Sequence, residues 1–147
     1  MFLLRIVLER PPAGIDYALQ EGKGRPFDVV QKQRSKGGDL EFEFTVNAKP
    51  GKDSSPNFLG PFVQGPVGER FVYINIGTYA GQTDTCWSRR LKIPLSGITW
   101  AMLRSGKVLT AHVPGTGRDG SPSCAYAWRK SVGASWGWQA ESQNQER

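Results

Sequence analysis

The sequence predicts a mainly β protein, an antiparallel β-barrel or β-sandwich of about seven or eight strands with one short helix. Three observations lead to this prediction. The 147 residues include 18 glycines and 10 prolines, and 11% are aromatic, a composition typical of short strands joined by tight turns. Apolar and polar residues alternate in most segments, which is the period of a strand. Only one short segment combines helix-like spacing with a start signal and a stop signal.

Alternation in the first third of the chain predicts four strands. They cover residues 2–10, 15–20, 27–34 and 40–46. Pro11 and Pro12 end the first strand, because proline removes a backbone donor. The fourth strand shows the clearest pattern, with large apolar residues alternating with Glu41, Glu43 and Thr45. This pattern indicates a strand with one face in the core and one face in solvent.

The middle and end of the chain carry further strands and the helix. Residues 49–55 are predicted to be an exposed loop, and residues 57–68 an irregular segment whose apolar side chains cover one end of the sheet structure. Four more strands are predicted at residues 70–77, 89–95, 107–113 and 124–128. Pro94 indicates that the second of these lies at an edge or ends there. The helix is predicted over residues 98–105, capped by Thr99 and stopped by Gly106.

The length fits one domain over residues 1–138, followed by a disordered tail over residues 139–147 that lacks apolar side chains near its end. No apolar run approaches the roughly 20 residues of a membrane-spanning helix, so no membrane association is expected. The sequence also shows no secretory signal pattern, which predicts a cytoplasmic protein.

Charge and cysteine content limit the function classes. The net charge of +6 favours polyanions in general, but the bases are spread over many segments. Cys86 and Cys124 lie far apart, with no C-x-x-C spacing and no histidine in ligand register, which argues against a metal site. Two free thiols are expected, although a disulfide between them remains an alternative. No cofactor is predicted.

A glycine-rich loop between two predicted strands is the sharpest candidate site. It contains Gly115, Thr116, Gly117, Arg118, Asp119 and Gly120. Its backbone amides and the Arg118 guanidinium can face a phosphate or carboxylate, because glycine lets the backbone approach an anion closely. The loop matches neither G-x-x-x-x-G-K-[ST] nor G-x-G-x-x-G followed by a helix. The alternative is a rigid hairpin-like loop in which Asp119 bonds its own turn and pairs with Arg118.

A catalytic alternative uses His112, the only histidine, as general base, Cys124 as nucleophile and Asp119 as the orienting acid. The simpler interpretation is a partly exposed strand histidine and a buried, inert thiol. Glu41 and Glu43 have the spacing of paired catalytic carboxylates, but the solvated face of an amphipathic strand explains them better.

Nucleic-acid binding is a further alternative. Basic residues 89, 90 and 92 lie near Trp87 and Trp100, and basic groups beside aromatic rings can bind single strands. Most Phe and Tyr residues fall at core positions, however, so this alternative is not favoured. Trp128, Trp136 and Trp138 either line an apolar pocket or close the end of the fold, and closure is the expected role.

Four phrases of the sequence carry a resemblance. They are Gly38-Asp39-Leu40-Glu41-Phe42-Glu43-Phe44, Gly60-Pro61-Phe62-Val63-Gln64-Gly65-Pro66, Glu69-Arg70-Phe71-Val72-Tyr73-Ile74 and Pro114-Gly115-Thr116-Gly117-Arg118-Asp119-Gly120. Together they resemble a family of small bacterial proteins known only as a domain of unknown function. The resemblance implies a single domain of a bacterial, cytosolic protein, and it implies no activity, cofactor or catalytic residue.

The resulting hypothesis is a non-enzymatic binding module for a small anionic ligand or a protein partner, acting through the loop at residues 115–124. Gln64, Arg70 and Tyr79 are further candidate contacts, because they flank turns near the predicted central strand at residues 70–77. Loss of binding in Arg118→Ala is expected. The alternatives are a small hydrolase or transferase using His112 and Cys124, and a nucleic-acid-binding barrel.

Overall fold

Strands make up most of the structure, a computed structural model that describes residues 1–21, 29–66, 68–79, 89–114, 131–133 and 138–141. The strands are β1 (Phe2–Glu9), β2 (Ile15–Gln20), β3 (Val29–Arg34), β4 (Leu40–Pro50), β5 (Pro56–Leu59), β6 (Phe71–Tyr79), β7 (Arg89–Pro94), β8 (Val108–Pro114), β9 (Ser131–Gly133) and β10 (Trp138–Glu141). The helix α1 spans Trp100–Arg104, and a 3-10 turn spans Lys52–Ser54. The predicted mainly β class with one short α-helix is confirmed.

The strands form two five-stranded sheets. The first has the order β10-β8-β1-β4-β5, and the second has the order β3-β2-β6-β7-β9. Neighbours are antiparallel except for two parallel pairs, β1 with β8 and β7 with β9. Apolar side chains from both sheets belong to a single buried cluster. Of the two predicted architectures, the strands that the structure describes therefore fit the sandwich.

Alternation along β4 produces the core face as predicted. Its apolar residues are buried and the residues between them are exposed. On the outer face Arg5 of β1 lies opposite Glu43, and the Arg5 Nη2 to Glu43 Oε2 distance is 2.8 Å. Glu41 is also within ion-pair distance of Arg5, at 3.9 Å. The interpretation of Glu41 and Glu43 as the solvated face of a strand is confirmed.

Two glutamines connect the sheets at one edge. β5 pairs only with residues 47–50 of β4, so the preceding part of this edge has no strand partner among the described residues. Gln33 of β3 donates a hydrogen bond from Nε2 to the Glu41 carbonyl at 2.7 Å, and Gln31 donates to the Glu43 carbonyl. Backbone acceptors that would be open along this edge are thereby occupied.

Three short strands differ from the prediction. β5 lies in the segment expected to be irregular, β9 was not predicted, and β10 extends three residues into the expected tail. β10 forms because it pairs with the edge of β8 and buries Trp138, whose Nε1 donates to the Pro94 carbonyl of the other sheet at 2.8 Å. Trp138 therefore closes the core. The predicted strand at 124–128 and the end of the tail at 142–147 lie outside the described residues.

The helix and the end of β7 match their signals. Thr99 caps α1, with its Oγ1 accepting a hydrogen bond from the Met102 amide at 3.1 Å. β7 ends at Pro94, as its missing amide donor predicts. No helix in the described ranges is long and apolar enough to cross a membrane.

The pairings give the sandwich two ends. At the first, which we call the Arg70 end, β1 and β6 begin and β4 and β7 finish. At the second, the Tyr79 end, β1, β6 and β8 finish. β2 begins at the Tyr79 end, because Ile15 pairs with Tyr79. β9 also begins there, because it runs parallel to β7.

Candidate functional site

A pocket of about 910 Å³ lies at the Arg70 end. Three segments line it, drawn from residues 51–58, 68–71 and 92–98. The first segment joins β4 to β5, the second leads into β6, and the third follows β7 towards α1. Strand ends and connections of both sheets therefore form the site, which is a common location for binding sites on rigid scaffolds.

Arg70 is fixed in the wall of this pocket. Its carbonyl accepts a hydrogen bond from the Leu95 amide at 2.9 Å, and its Nη1 donates to the Gly65 carbonyl at 2.7 Å. Its Nε is buried, and no described residue accepts a hydrogen bond from it. Buried donors of folded proteins almost always have a partner, so an unpaired guanidinium nitrogen is an unusual feature of this pocket wall.

The turn between Gln64 and Phe71 orients this arginine. The two residues bond through both backbone groups, with Gln64 N to Phe71 O at 2.9 Å and Phe71 N to Gln64 O at 3.3 Å. Gly65 has φ +94°, and a Cβ on it would lie 2.1 Å from the Glu69 carbonyl oxygen. Only glycine fits this close approach, and its carbonyl is the acceptor that holds the Arg70 side chain.

Positive charge exceeds negative charge around the pocket. Lys52, Arg70 and Lys92 line it together with two acids, Asp53 and Glu69. The Lys92 ammonium lies 4.3 Å from the centroid of the Phe71 ring, a cation–π contact that positions Lys92 beside the start of β6. The acids are both exposed. Arg70, whose buried Nε has no acceptor among the described residues, is one of these three cations.

The structure places the candidate contacts of the glycine-loop hypothesis at different ends. Gln64 and Arg70 lie at the Arg70 end, where Gln64 is 8% exposed and serves the backbone bridge to Phe71. Tyr79 is the last residue of β6, at the Tyr79 end, and its side chain lies outside the described part. The sequence signal for Arg70 was that it flanks a turn near the predicted central strand. Nothing in the pattern linked it to Lys92, which entered only through the nucleic-acid alternative that was not favoured.

The glycine-rich loop itself lies outside the described residues, as do Cys86 and Cys124. The residues that border the undescribed segment 115–130 are Pro114 and Ser131. Both lie at the Tyr79 end, because β8 runs parallel to β1 and β9 runs parallel to β7. The chain therefore enters and leaves this segment at the end of the sandwich opposite the pocket.

His112 lies on the outer face of β8. Its side chain is 43% exposed, and its Nδ1 lies 3.3 Å from Glu9 Oε2 on the neighbouring strand. The interpretation as an exposed strand histidine is confirmed. Trp100, a candidate stacking residue, packs edge-on against Phe2 with ring centroids 6.0 Å apart. Among the described residues no group of three or more His, Cys, Asp or Glu side chains has the arrangement of a metal site.

Comparison with known protein families matches residues 2–140 to the Family of unknown function (DUF5990). The match covers both sheets and the pocket. Neither the curated proteins nor the solved structures contain a significant match to the chain.

Proposed function

Because the chain belongs to this family of unknown function, we propose its function from its own site: it is a non-enzymatic binding module for a small anionic ligand. The ligand binds in the pocket at the Arg70 end. The observation that carries the proposal is the Arg70 guanidinium, which is fixed on Gly65 in the same pocket lining that holds Lys92. An anion in the pocket neutralises a charge that is partly removed from water.

The chemistry of arginine supports an anion rather than a neutral acceptor. A guanidinium presents its donors in a planar fork that matches carboxylate and phosphate oxygens. In Arg70 one nitrogen of the fork, Nη1, is used to fix the side chain on Gly65. Lys92 adds a second positive charge to the same lining. The pre-fixed side chain has little conformational entropy left to lose on binding.

Calorimetric titration with inorganic phosphate tests the proposal. We expect Arg70→Ala to weaken binding at least about tenfold, because a charge-assisted hydrogen bond contributes roughly 1.5–3 kcal/mol. Lys36→Ala is the matched control, since Lys36 is an exposed cation that follows β3 at the Tyr79 end. Equal affinities of wild type, Arg70→Ala and Lys36→Ala would overturn the proposal.

The glycine-rich loop gives the competing location. If Arg118→Ala abolishes phosphate binding while Arg70→Ala leaves it unchanged, the anion site lies in the loop at residues 115–124. In that case the same loop is also the expected contact for a protein partner. Measuring both variants in one titration series distinguishes binding in the pocket from binding in the loop.

The remaining alternatives keep their own tests. A hydrolase or transferase built on His112 and Cys124 predicts fast alkylation of Cys124 near neutral pH. A nucleic-acid-binding protein predicts an affinity that falls steeply with salt. We also propose the bacterial cytoplasm as the compartment, on the family resemblance of the sequence, and cell fractionation of the native host checks it.

A further inference from the structure

The pocket is much larger than an inorganic anion needs. Its volume of about 910 Å³ lies in the range of sites that hold organic ligands, roughly 300–1,000 Å³. A water molecule, by comparison, takes up about 30 Å³. An inorganic anion bound to Arg70 would leave most of this space to solvent.

Part of the remaining lining is apolar. Pro56 and Pro94 are only partly buried and present apolar surface to the pocket. Phe58, Leu95 and Ile98 also line it, but each is at most 3% exposed and adds little surface. A ligand with an apolar portion would remove this surface from water, whereas a fully polar ligand would not.

The exposed acids favour a ligand with few negative charges. Asp53 and Glu69 line the pocket alongside its cations, and both residues are exposed. Each carboxylate repels an anionic ligand, and like charges disfavour binding. A ligand with one anionic group meets less of this repulsion than a polyanion does.

We infer that the ligand of this pocket is an amphipathic organic anion, with one phosphate or carboxylate at Arg70 and an apolar body against Pro56 and Pro94. This inference rests on the proposed function. It adds that recognition is shared between the charge and the apolar body. The pocket volume that the anionic group does not fill is large enough for a ring-sized apolar body.

Phenyl phosphate and methyl phosphate form a matched pair of probes, because both are phosphate monoesters and they differ in the size of the apolar body. We expect phenyl phosphate to bind at least tenfold more tightly than methyl phosphate by calorimetry. We expect Arg70→Ala to weaken the binding of both esters, and benzyl alcohol, which has the ring without the charge, to show no binding.

A substitution at the pocket opening gives a second readout. Asn57 and Leu59 are both exposed on β5, but only Asn57 lines the pocket. Asn57→Trp should remove most of the tenfold preference for phenyl phosphate by filling the space for its ring. Leu59→Trp is the control and should leave the preference intact.

Three outcomes overturn the inference, and they differ in what else they overturn. If the two esters bind equally tightly and Arg70→Ala abolishes the binding of both, the role of the apolar body is refuted and the anion site is retained. If phenyl phosphate binds to the Arg70→Ala variant as tightly as to the wild type, the anion site at Arg70 is refuted as well. If neither ester binds, both the inference and the proposed function are refuted.

Discussion

Gly65 and Arg70 form a functional pair at the scale of single residues. The glycine carbonyl fixes the arginine side chain through Nη1, and the absent Cβ makes room for the Glu69 carbonyl and the Phe71 ring. Backbone shape and side-chain chemistry therefore depend on one another at this position. A substitution in the turn can therefore displace the Arg70 side chain without changing any charge in the proposed site.

Gly65→Ala should lower both stability and phosphate affinity. Its added Cβ meets the Glu69 oxygen at 2.1 Å in a left-handed backbone conformation, and such strain costs about 1–3 kcal/mol. Gly37→Ala is the control, because its φ of +102° is similar but nothing lies within 4 Å of the added atom. Urea unfolding and phosphate titration of both variants give the comparison. Equal losses of stability with unchanged affinity would contradict the account.

A partly buried ion pair provides a second test at this scale. Asp16 is 5% exposed, and Arg34 holds it with Nε to Oδ1 at 2.8 Å and Nη2 to Oδ2 at 3.2 Å. The hydrogen bond to Asp16, and then its charge, raise the pKa of Arg34 above its ordinary value. The stabilisation is therefore complete below the ordinary pKa of arginine and is lost only as the pH rises through the raised value, in strong alkali.

Asp16→Asn should accordingly destabilise the protein at neutral pH, since the substitution removes the charge from this pair while keeping the side-chain shape. Asp53→Asn is the control, because Asp53 is exposed and asparagine tolerates its left-handed φ of 54°. Thermal unfolding at pH 7 measures both. A melting temperature of Asp16→Asn equal to that of Asp53→Asn would count against a stabilising pair.

At the scale of elements, the sequence pattern predicted the longer strands and left the short ones unseen. β4 alternates over enough residues for the period to be read from the sequence alone, whereas β1 and β6 were predicted with apolar residues on both faces. β5, β9 and β10 have three or four residues each and exist through their partners on β4, β7 and β8. Pairing of this kind depends on tertiary contacts that local sequence does not specify.

The contact between β3 and β4 predicts a specific loss. Gln33→Glu places a carboxylate against the Glu41 carbonyl where an amide now donates at 2.7 Å, so two acceptors face each other. We expect the free energy of unfolding to fall by about 0.5–1.5 kcal/mol. Lys32→Gln is the control on the same strand, since it changes the charge by the same amount and Lys32 is exposed. Urea denaturation with no difference between them would refute this role.

At the scale of the whole molecule, the sandwich places Arg70 at one end and the residues that border the glycine-rich segment, Pro114 and Ser131, at the other. Arg70 was identified because it flanks a turn near the predicted central strand, and the glycine-rich loop because of its composition. The pairing of β1 with β8 and of β7 with β9 determines where Pro114 and Ser131 lie, and no local pattern encodes a parallel neighbour. The pocket likewise combines three distant segments, so only Arg70 of its lining was among the predicted contacts.

The C-terminal strand tests how the two sheets hold together. Deletion of residues 138–147 removes β10 and the Trp138 bond to Pro94, and we expect a loss of about 3–5 kcal/mol, as for a buried tryptophan. Deletion of residues 142–147 is the control and should change stability by less than about 0.5 kcal/mol. Chemical denaturation of the two truncated chains gives the values. Similar stabilities would show that β10 contributes little to the sandwich.

The central claim is that the Arg70 end binds a small organic anion. Amide-resolved NMR during a titration with phenyl phosphate tests it most directly, because the amides of the pocket and those of the glycine-rich loop report separately. The account predicts shifts concentrated in residues 65–71 and 92–98, which line or flank the pocket. Shifts confined to residues 115–124, with the amides of the Arg70 end unmoved, would contradict it and assign anion binding to the glycine-rich loop.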